Sequence, residues 1–238
     1  MPVLREISLT LATGALTAIL GPNGGGKTTL LHVLLGWLKP RSGALLVNDR
    51  SLASFSHRER SRLLGLVPQS EFIPFEFTLL EYVLLGRAPY LGPLEMPGGR
   101  DVDEARRALA RVGLTSLSER PVTHMSGGER QLAMIARALA QQPAILLLDE
   151  PTSHLDLANR RRVRDVLRQL VADGITVVCT THDPALAADM ADALILMRAG
   201  EIVAAGPIEN TLTSEKLSAT YDLPVKARRV EGEWLITS

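Results

Sequence analysis

Residues 21–28 read Gly21-Pro22-Asn23-Gly24-Gly25-Gly26-Lys27-Thr28, the spacing Gly-x-x-x-x-Gly-Lys-Thr of a loop that cradles a polyphosphate. The chemistry follows from the residue types. Glycines at 21, 24, 25 and 26 leave no side chain between a phosphate and the backbone N–H groups. Lys27 has the reach and charge for β- and γ-phosphates, and the Thr28 hydroxyl can hold a Mg²⁺. A second acidic element, Asp149-Glu150, ends the apolar run Ala144–Leu148. Asp149 there suits Mg²⁺ binding, directly or through water, and Glu150 suits a general base polarising an attacking water. An acidic pair at a strand end can also do no more than cap, and Gln69 after Pro68 can be no more than a polar strand end. The phosphate loop elsewhere in the chain tilts the first choice towards chemistry.

The flanking residues describe what must position these groups. Leu16–Leu20 reads as a buried strand, and Thr28–Trp37 as a helix stopped at Lys39-Pro40. Strand, glycine turn and helix in that order aim several N–H groups and the positive helix end at one point. Alternation over Leu4–Leu11, with a Thr13-Gly14 turn, predicts a hairpin feeding this strand. Ala44–Val47 predicts a short strand with an Asn48-Asp49 turn, and Leu63–Val67 another. Capping boxes at Ser56–Glu59, Thr78–Glu81 and Ser126–Glu129 each predict a helix start. The helix from Ser126 carries one apolar stripe (Leu132, Ile135, Ala136, Leu139, Ala140). Asp156 predicts the cap of a helix closed by Gly174, whose Arg160, Arg161, Arg162, Arg164 and Arg168 read as a solvated face. Ile175–Thr181 reads as a buried strand, Asp183-Pro184 as a helix start, and 193–205 as a late hairpin. Ala88–Arg100 reads as a loop, Asp101–Val112 as a helix, and the tail to Ser238 as mixed and polar. Strand–helix alternation on both sides of a helical insert, about 70–141, predicts a mainly parallel sheet covered by helices.

Composition bounds the partners. The 238 residues are 46% hydrophobic and 22% charged, enough for a substantial core. Twenty-six basic and 26 acidic residues cancel, which argues against a broad nucleic-acid footprint. The single Cys179 can form no internal disulfide and sits in a strand-like run, as a small buried hydrophobe does. No stretch approaches ~20 consecutive apolar residues, and Met1–Glu6 carries no basic-then-apolar leader.

Taken together, Gly21–Thr28, Gln69, Ser126-Gly127-Gly128-Glu129-Arg130-Gln131, Ile145–Glu150, Ser153-His154-Leu155-Asp156 and Thr181-His182-Asp183 resemble the ATP-binding cassette (ABC) ATPases. They stand in that family's order from Val3 to about Gly206, and Ser-Gly-Gly is the specific element. The resemblance implies an α/β P-loop NTPase fold: a core over about 1–69 and 142–238, an antiparallel β subdomain, and a helical subdomain over about 70–141. It implies ATP and Mg²⁺ as cofactors. The phosphates would be held by Gly21, Pro22, Asn23, Gly24, Gly25, Gly26, Lys27, Thr28 and Thr29, and the metal by Thr28, Gln69 and Asp149. Glu150, His182 and Gln69 would be catalytic, His182 contacting the γ-phosphate and Gln69 coupling the site to the helical insert. Ser126, Gly127, Gly128 and Glu129 would close over ATP bound to a second copy, with Asp156 crossing the interface. One phosphate loop and one Ser-Gly-Gly per chain therefore imply a head-to-tail homodimer, glued by ATP and released by hydrolysis.

Glu81–Tyr90, with Leu85-Gly86-Arg87-Ala88-Pro89-Tyr90 at its end, and Leu212–Leu217 with Tyr221 are similar to the branch importing iron–siderophores, haem and cobalamin. That implies membrane permease subunits as partners, a periplasmic or lipid-anchored binding protein acting indirectly, and a place on the cytoplasmic face of the inner membrane. Apolar residues near Phe72–Phe77 would suit docking of a permease helix. A soluble cassette of iron–sulfur assembly or translation shares the catalytic motifs but not the Leu-Gly-Arg-Ala-Pro-Tyr segment. A DNA-repair cassette would need a coiled coil between Lys27 and Ser126, where no heptad run occurs. Two departures stand out. Family members usually place an adenine-stacking aromatic well before the phosphate loop, whereas the 20 residues before Gly21 contain none. A weakened adenine site and an uncovered sheet edge are expected. Met125 replaces a common Leu, a mild change, and Glu129 replaces the frequent Gln while keeping the capping box.

Overall fold

The computed structural model describes residues 3–237; Met1, Pro2 and Ser238, the outermost residues of the expected 1–238 domain, lie outside them. In chain order, β1 (Leu16–Leu20) leads into α1 (Lys27–Leu34), followed by the short strands β2 (Leu46–Val47) and β3 (Arg50–Ser51). Next come α2 (His57–Leu63) and β4 (Leu64–Val67). The insert carries α3 (Leu79–Leu84), α4 (Gly99–Arg111) and α5 (Gly127–Ala140). The chain then returns through β5 (Ile145–Leu148), α6 (Leu157–Ala172), β6 (Thr176–Thr181), α7 (Pro184–Met190), β7 (Ala193–Arg198) and β8 (Glu201–Pro207). It closes with α8 (Ile208–Thr211), α9 (Ser214–Tyr221), β9 (Lys226–Val230) and β10 (Glu233–Thr237).

Six strands form one sheet in the order β4-β5-β6-β1-β7-β8, parallel except where β8 turns back on β7. All five residues of β1 are buried, as a strand with neighbours on both edges and helices on both faces requires. The loop after β1 therefore leaves the sheet near its centre, between the ends of β6 and β7. One apolar cluster lies against α3–α6, and the other joins β1 to α1 through Ile19, Leu30, Leu31 and Leu35. All three predicted capping boxes form, at Ser56, Thr78 and Ser126.

Several expectations need correction. Leu4–Leu11 is not a strand. Leu4, Ile7, Leu9 and Leu11 are half-buried against the α1 side of the core. Among the described residues the segment bonds the β7–β8 turn through Arg5 alone, its N–H to the Gly200 carbonyl (2.9 Å) and its side chain paired with Glu201 (3.5 Å). Alternation gave it one apolar face; no neighbouring strand gives it a ladder. Among the described residues, antiparallel strand pairs are β2–β3, β7–β8 and β9–β10, and one isolated antiparallel bridge joins Thr78 to Pro121 in the insert. The tail is ordered into α8, α9 and the β9–β10 hairpin rather than a mixed polar run. The loop expected over Ala88–Arg100 is shorter: a 3-10 stretch runs to Tyr90, and α4 begins at Gly99. The α6 arginines are not simply solvated, since Arg164 pairs with Asp189 (2.7 Å) and Arg168 with Asp192 (2.7 Å).

Leu85-Gly86-Arg87-Ala88-Pro89-Tyr90 acts as a latch between the insert and the core. A Cβ on Gly86 would lie 2.1 Å from the Arg137 carbonyl oxygen of α5, so only glycine lets the two backbones meet. Arg87, 6% exposed, donates to Asp101 of α4 (2.9 Å) and to the Ala140 carbonyl ending α5 (2.8 Å). Tyr90 stacks beneath Arg87 and also faces Arg62 of α2, with ring-centroid distances of 3.7 and 4.4 Å. Removing Arg87 would strand the partly buried Asp101 carboxylate and the buried Ala140 carbonyl together, at about 3 kcal/mol. Arg87→Ala should lower the unfolding free energy by that amount in urea titration; an unchanged midpoint would show that the latch contributes nothing.

Candidate functional site

The glycines of the phosphate loop are dictated by their surroundings. A Cβ on Gly21 would sit 2.1 Å from the Met197 carbonyl oxygen of β7, and one on Gly25 would sit 3.0 Å from the Pro22 carbonyl oxygen. Gly26 caps α1 with φ 99°, a left-handed conformation that side chains resist. No side chain caps α1 and no acidic residue lies in its first turn, so its leading N–H groups are free to bind an anion. Lys27 is 6% exposed and points back over the loop. It donates to the carbonyls of Gly21 (2.9 Å) and Pro22 (3.2 Å) and lies 3.6 Å from the Glu150 carboxylate.

The ends of three adjacent strands complete the constellation. Asp149 N–H bonds the Val67 carbonyl (2.9 Å), continuing the β4–β5 ladder and bringing Gln69, two residues further on, to the same edge. The Asp149 carboxylate accepts from Thr28 Oγ1 (2.8 Å) and from Thr180 Oγ1 of β6 (2.5 Å). Thr180 Oγ1 in turn accepts from the Glu150 N–H (2.9 Å), so one hydroxyl fixes both acids. Glu150 has φ 44°, and the Ser153 N–H and hydroxyl both hold its carbonyl (3.0 Å each). Such a conformation in a non-glycine residue costs of order 1–3 kcal/mol and persists only where its surroundings impose it. Its carboxylate lies 3.0 Å from His182 Nδ1. A carboxylate can only accept, so Nδ1 carries the proton in this contact. Only the doubly protonated ring could hold Glu150 and also donate from Nε2 to a phosphate oxygen.

Asn23–Thr29, Gln69, Glu150 and His182 line one cleft of about 850 Å³. Gln69 is exposed there, and its loop is tied to the insert two residues later. Glu71 accepts from the Tyr82 hydroxyl of α3 (2.5 Å) and pairs with Arg137 of α5 (2.5 Å). Gly21 and Pro22 support the loop from beneath, and Asp149 reaches the cleft through Thr28.

Ser126, Gly127, Gly128, Glu129 and Asp156 are not among the residues lining this cleft. Ser126 and Gly127 are exposed at the start of α5, where Ser126 and Glu129 cap one another (2.9 and 3.3 Å). The hydrogen bond from the Ser126 N–H holds the Glu129 carboxyl below its ordinary range. Gly128 has a different reason: a Cβ there would meet Asn159 of α6 at 2.2 Å. Asn159 is itself held by Asp156, whose carboxylate accepts from its N–H (2.8 Å) and side-chain amide (3.1 Å). Burial pushes the Cys179 thiol up to about 12, the inert hydrophobe expected of it.

Sequence reasoning missed several contributors, Val3 and Ser153 of the cleft lining among them. His154 and Arg160 line the cleft, Thr180 joins the two acids, and Tyr221 donates to the His182 carbonyl (2.9 Å). A polar Thr180-Thr181 pair closing the buried β6 run was the sequence signal for Thr180. His154 stood inside a recognised motif but without a role of its own.

The oxygen-only set of Thr28 and Asp149 suits Mg²⁺, which commonly takes one or two protein ligands and completes its shell with phosphate and water. Among the described residues, no group of three or more His, Cys, Asp or Glu side chains offers a self-contained metal cage. The side-chain-free phosphate loop, with its uncapped helix start, suits a nucleotide polyphosphate.

Residues 4–153 match the protein family described as ABC transporter. The chain is 39% identical over 227 residues to the hemin import ATP-binding protein of Thermobifida fusca, spanning 94% of this chain and 78% of that protein. It is 35% identical over 227 residues to an iron chelatin transport ATP-binding protein of Helicobacter pylori, spanning 94% and 89%. A solved metal-chelate-type ABC transporter in an inward-facing conformation superposes with a TM-score of 0.86 at 36% identity, covering 98% of this chain and 88% of that one.

Proposed function

The chain belongs to the ABC transporter family and is an ATP-binding ATPase; from that premise we propose that it powers import of a metal chelate. The cargo class is an iron–siderophore, haem or cobalamin. The observation that carries the ATPase reading is the cleft in which Lys27, Glu150 and His182 meet the phosphate loop. The cargo class rests on the names of the relatives and on the two branch-like segments, Glu81–Tyr90 and Leu212–Tyr221.

In this reading the N–H groups of Asn23–Thr29 and the Lys27 ammonium bind the β- and γ-phosphates. Thr28, Asp149 and Gln69 hold Mg²⁺, which when bound neutralises charge on the phosphate oxygens. Glu150 takes a proton from the water attacking the γ-phosphorus, while His182 holds that carboxylate in place and faces the γ-phosphate. Gln69 links these events to the insert, and the Glu71–Tyr82–Arg137 contacts support a route from its loop to α5.

Ser126-Gly127-Gly128 and Asp156 act on the nucleotide of a second copy in a head-to-tail dimer. Their place outside the cleft and the exposure of Ser126 and Gly127 at the start of α5 support that reading. Exposed Phe72 and Phe75 suit docking to a permease's cytoplasmic helix. Among the described residues no helix is long and apolar enough to cross a membrane, so contact with the cytoplasmic face of the inner membrane would run through the permease. A periplasmic or lipid-anchored binding protein would act on that permease from the other side.

The test is reconstitution with a metal-chelate permease and its cognate binding protein. ATP turnover should rise when the binding protein carries haem, a ferric siderophore or cobalamin. Stimulation only by a cargo without a metal would refute the cargo class and leave the ATPase standing.

A further inference from the structure

The tail segment that resembles the metal-chelate branch ends at Tyr221, and its hydroxyl is aimed at the catalytic cleft. It donates to the main-chain carbonyl of His182 (2.9 Å). His182 is the one residue between the end of β6 at Thr181 and the helix cap Asp183, and its ring lies 3.0 Å from Glu150. Within this two-residue connection, Asp183 is fixed by bonds to the N–H groups of Ala185 and Leu186 and by its own N–H to Thr181 Oγ1 (3.1 Å). Among the described residues the His182 carbonyl has no such local anchor; its anchor comes from the tail.

The tail is built to hold that hydroxyl still. Leu217 and Thr220 bury one side of α9. Arg198, ending β7, donates to the Ala219 carbonyl (2.8 Å) and pairs with Asp222 (2.7 Å), so the last turn of α9 is fastened to the main sheet. Ser214 and Ser218 accept from the N–H groups of Ala227 and Val225 (2.9 Å each), fastening the other side to the following strand. Burial, together with the nearby charges of Asp183 and Glu150, pushes the Tyr221 phenol above its ordinary pKa, so it remains a donor at neutral pH.

We propose that Tyr221 is a positioning residue for ATP hydrolysis: α9 holds the His182 backbone, and through it the His182 ring, in register with Glu150. The inference rests on the role of His182 proposed above. Tyr221 touches neither the nucleotide nor the attacking water in this reading. Its effect belongs on kcat rather than on nucleotide affinity, because small misplacements of a catalytic group are felt in the transition state. The His182 carbonyl lies at the surface, where water can replace a lost donor. Removing the hydroxyl therefore loosens position without stranding a buried group.

The test uses the full chain with Mg-ATP and three variants: Tyr221→Phe, His182→Ala and the double mutant. Tyr221→Phe keeps the ring and removes only the hydrogen bond. It should lower kcat roughly three- to tenfold, as loss of one hydrogen bond permits, with KM for ATP and Tm unchanged. On the His182→Ala background it should add no further loss, because there is no ring left to position. An unchanged kcat for Tyr221→Phe beside an impaired His182→Ala overturns the inference and spares the site. So does a Tyr221→Phe loss that persists in full without the His182 ring, or one that appears together with a lowered Tm. Full turnover in His182→Ala overturns the His182 role and the inference with it.

Discussion

Replacing Glu150 with Gln should abolish turnover while leaving ATP bound, and should trap a dimer. The amide keeps the shape and can still accept from His182 Nδ1–H, so the left-handed backbone at 150 and its Thr180 and Ser153 contacts have no reason to change. What disappears is the basic oxygen. A positioned general base is worth about 10²–10⁴ in rate, so steady-state turnover should fall by at least about a hundredfold. Loss of the carboxylate also frees Lys27 from its 3.6 Å ion pair and removes a negative charge beside the phosphates, which favours ATP retention. Gel filtration with saturating Mg-ATP should then show twice the monomer mass. A variant that stays monomeric under those conditions would falsify the two-half-site arrangement. One that still hydrolyses ATP at near the parent rate would remove Glu150 from the chemistry.

Lys27→Ala should fail one step earlier, at binding. The ammonium is nearly buried, and its carbonyl partners Gly21 and Pro22 belong to the loop itself. A charge-assisted contact to phosphate is worth about 1.5–3 kcal/mol, which predicts ATP affinity about ten- to a hundredfold weaker by calorimetry. The two substitutions thus separate cleanly, one binding ATP without turning it over and the other scarcely binding it. Unchanged affinity in Lys27→Ala would count against the phosphate loop as assigned.

Sequence alone read well wherever a few consecutive residues determine the outcome. The phosphate loop, the capping boxes at Ser56, Thr78 and Ser126, and the Asp183-Pro184 helix start depend on neighbours within about four positions, and all formed. Reading faltered where the outcome depends on a distant partner. Leu4–Leu11 has the alternation of a strand, but alternation states which face is buried and not whether another strand lies alongside. The β9–β10 hairpin was hidden by basic residues around an apolar alternation that includes Trp234 and Ile236. Its Glu231-Gly232 turn, both residues at positive φ, was the available signal. Thr180 and Tyr221 meet the site only across separations of 30 and 39 residues, which no local pattern reports. Gly128 was read as part of a phosphate clamp; that Asn159 leaves it no room for a side chain needed the packed helices.

That last contact reaches beyond packing. Asn159 presses on the start of α5 while Asp156 grips Asn159, so the two parts of this chain proposed to address a neighbour's nucleotide form one stiff piece. In a two-fold pair, such a piece cannot settle onto one ATP without also setting the posture of its own interface turn. Thermodynamic reciprocity then applies: whatever free energy one nucleotide spends aligning that piece, the other receives as a readier site. In the proposed dimer, two molecules of ATP would then count as a single event.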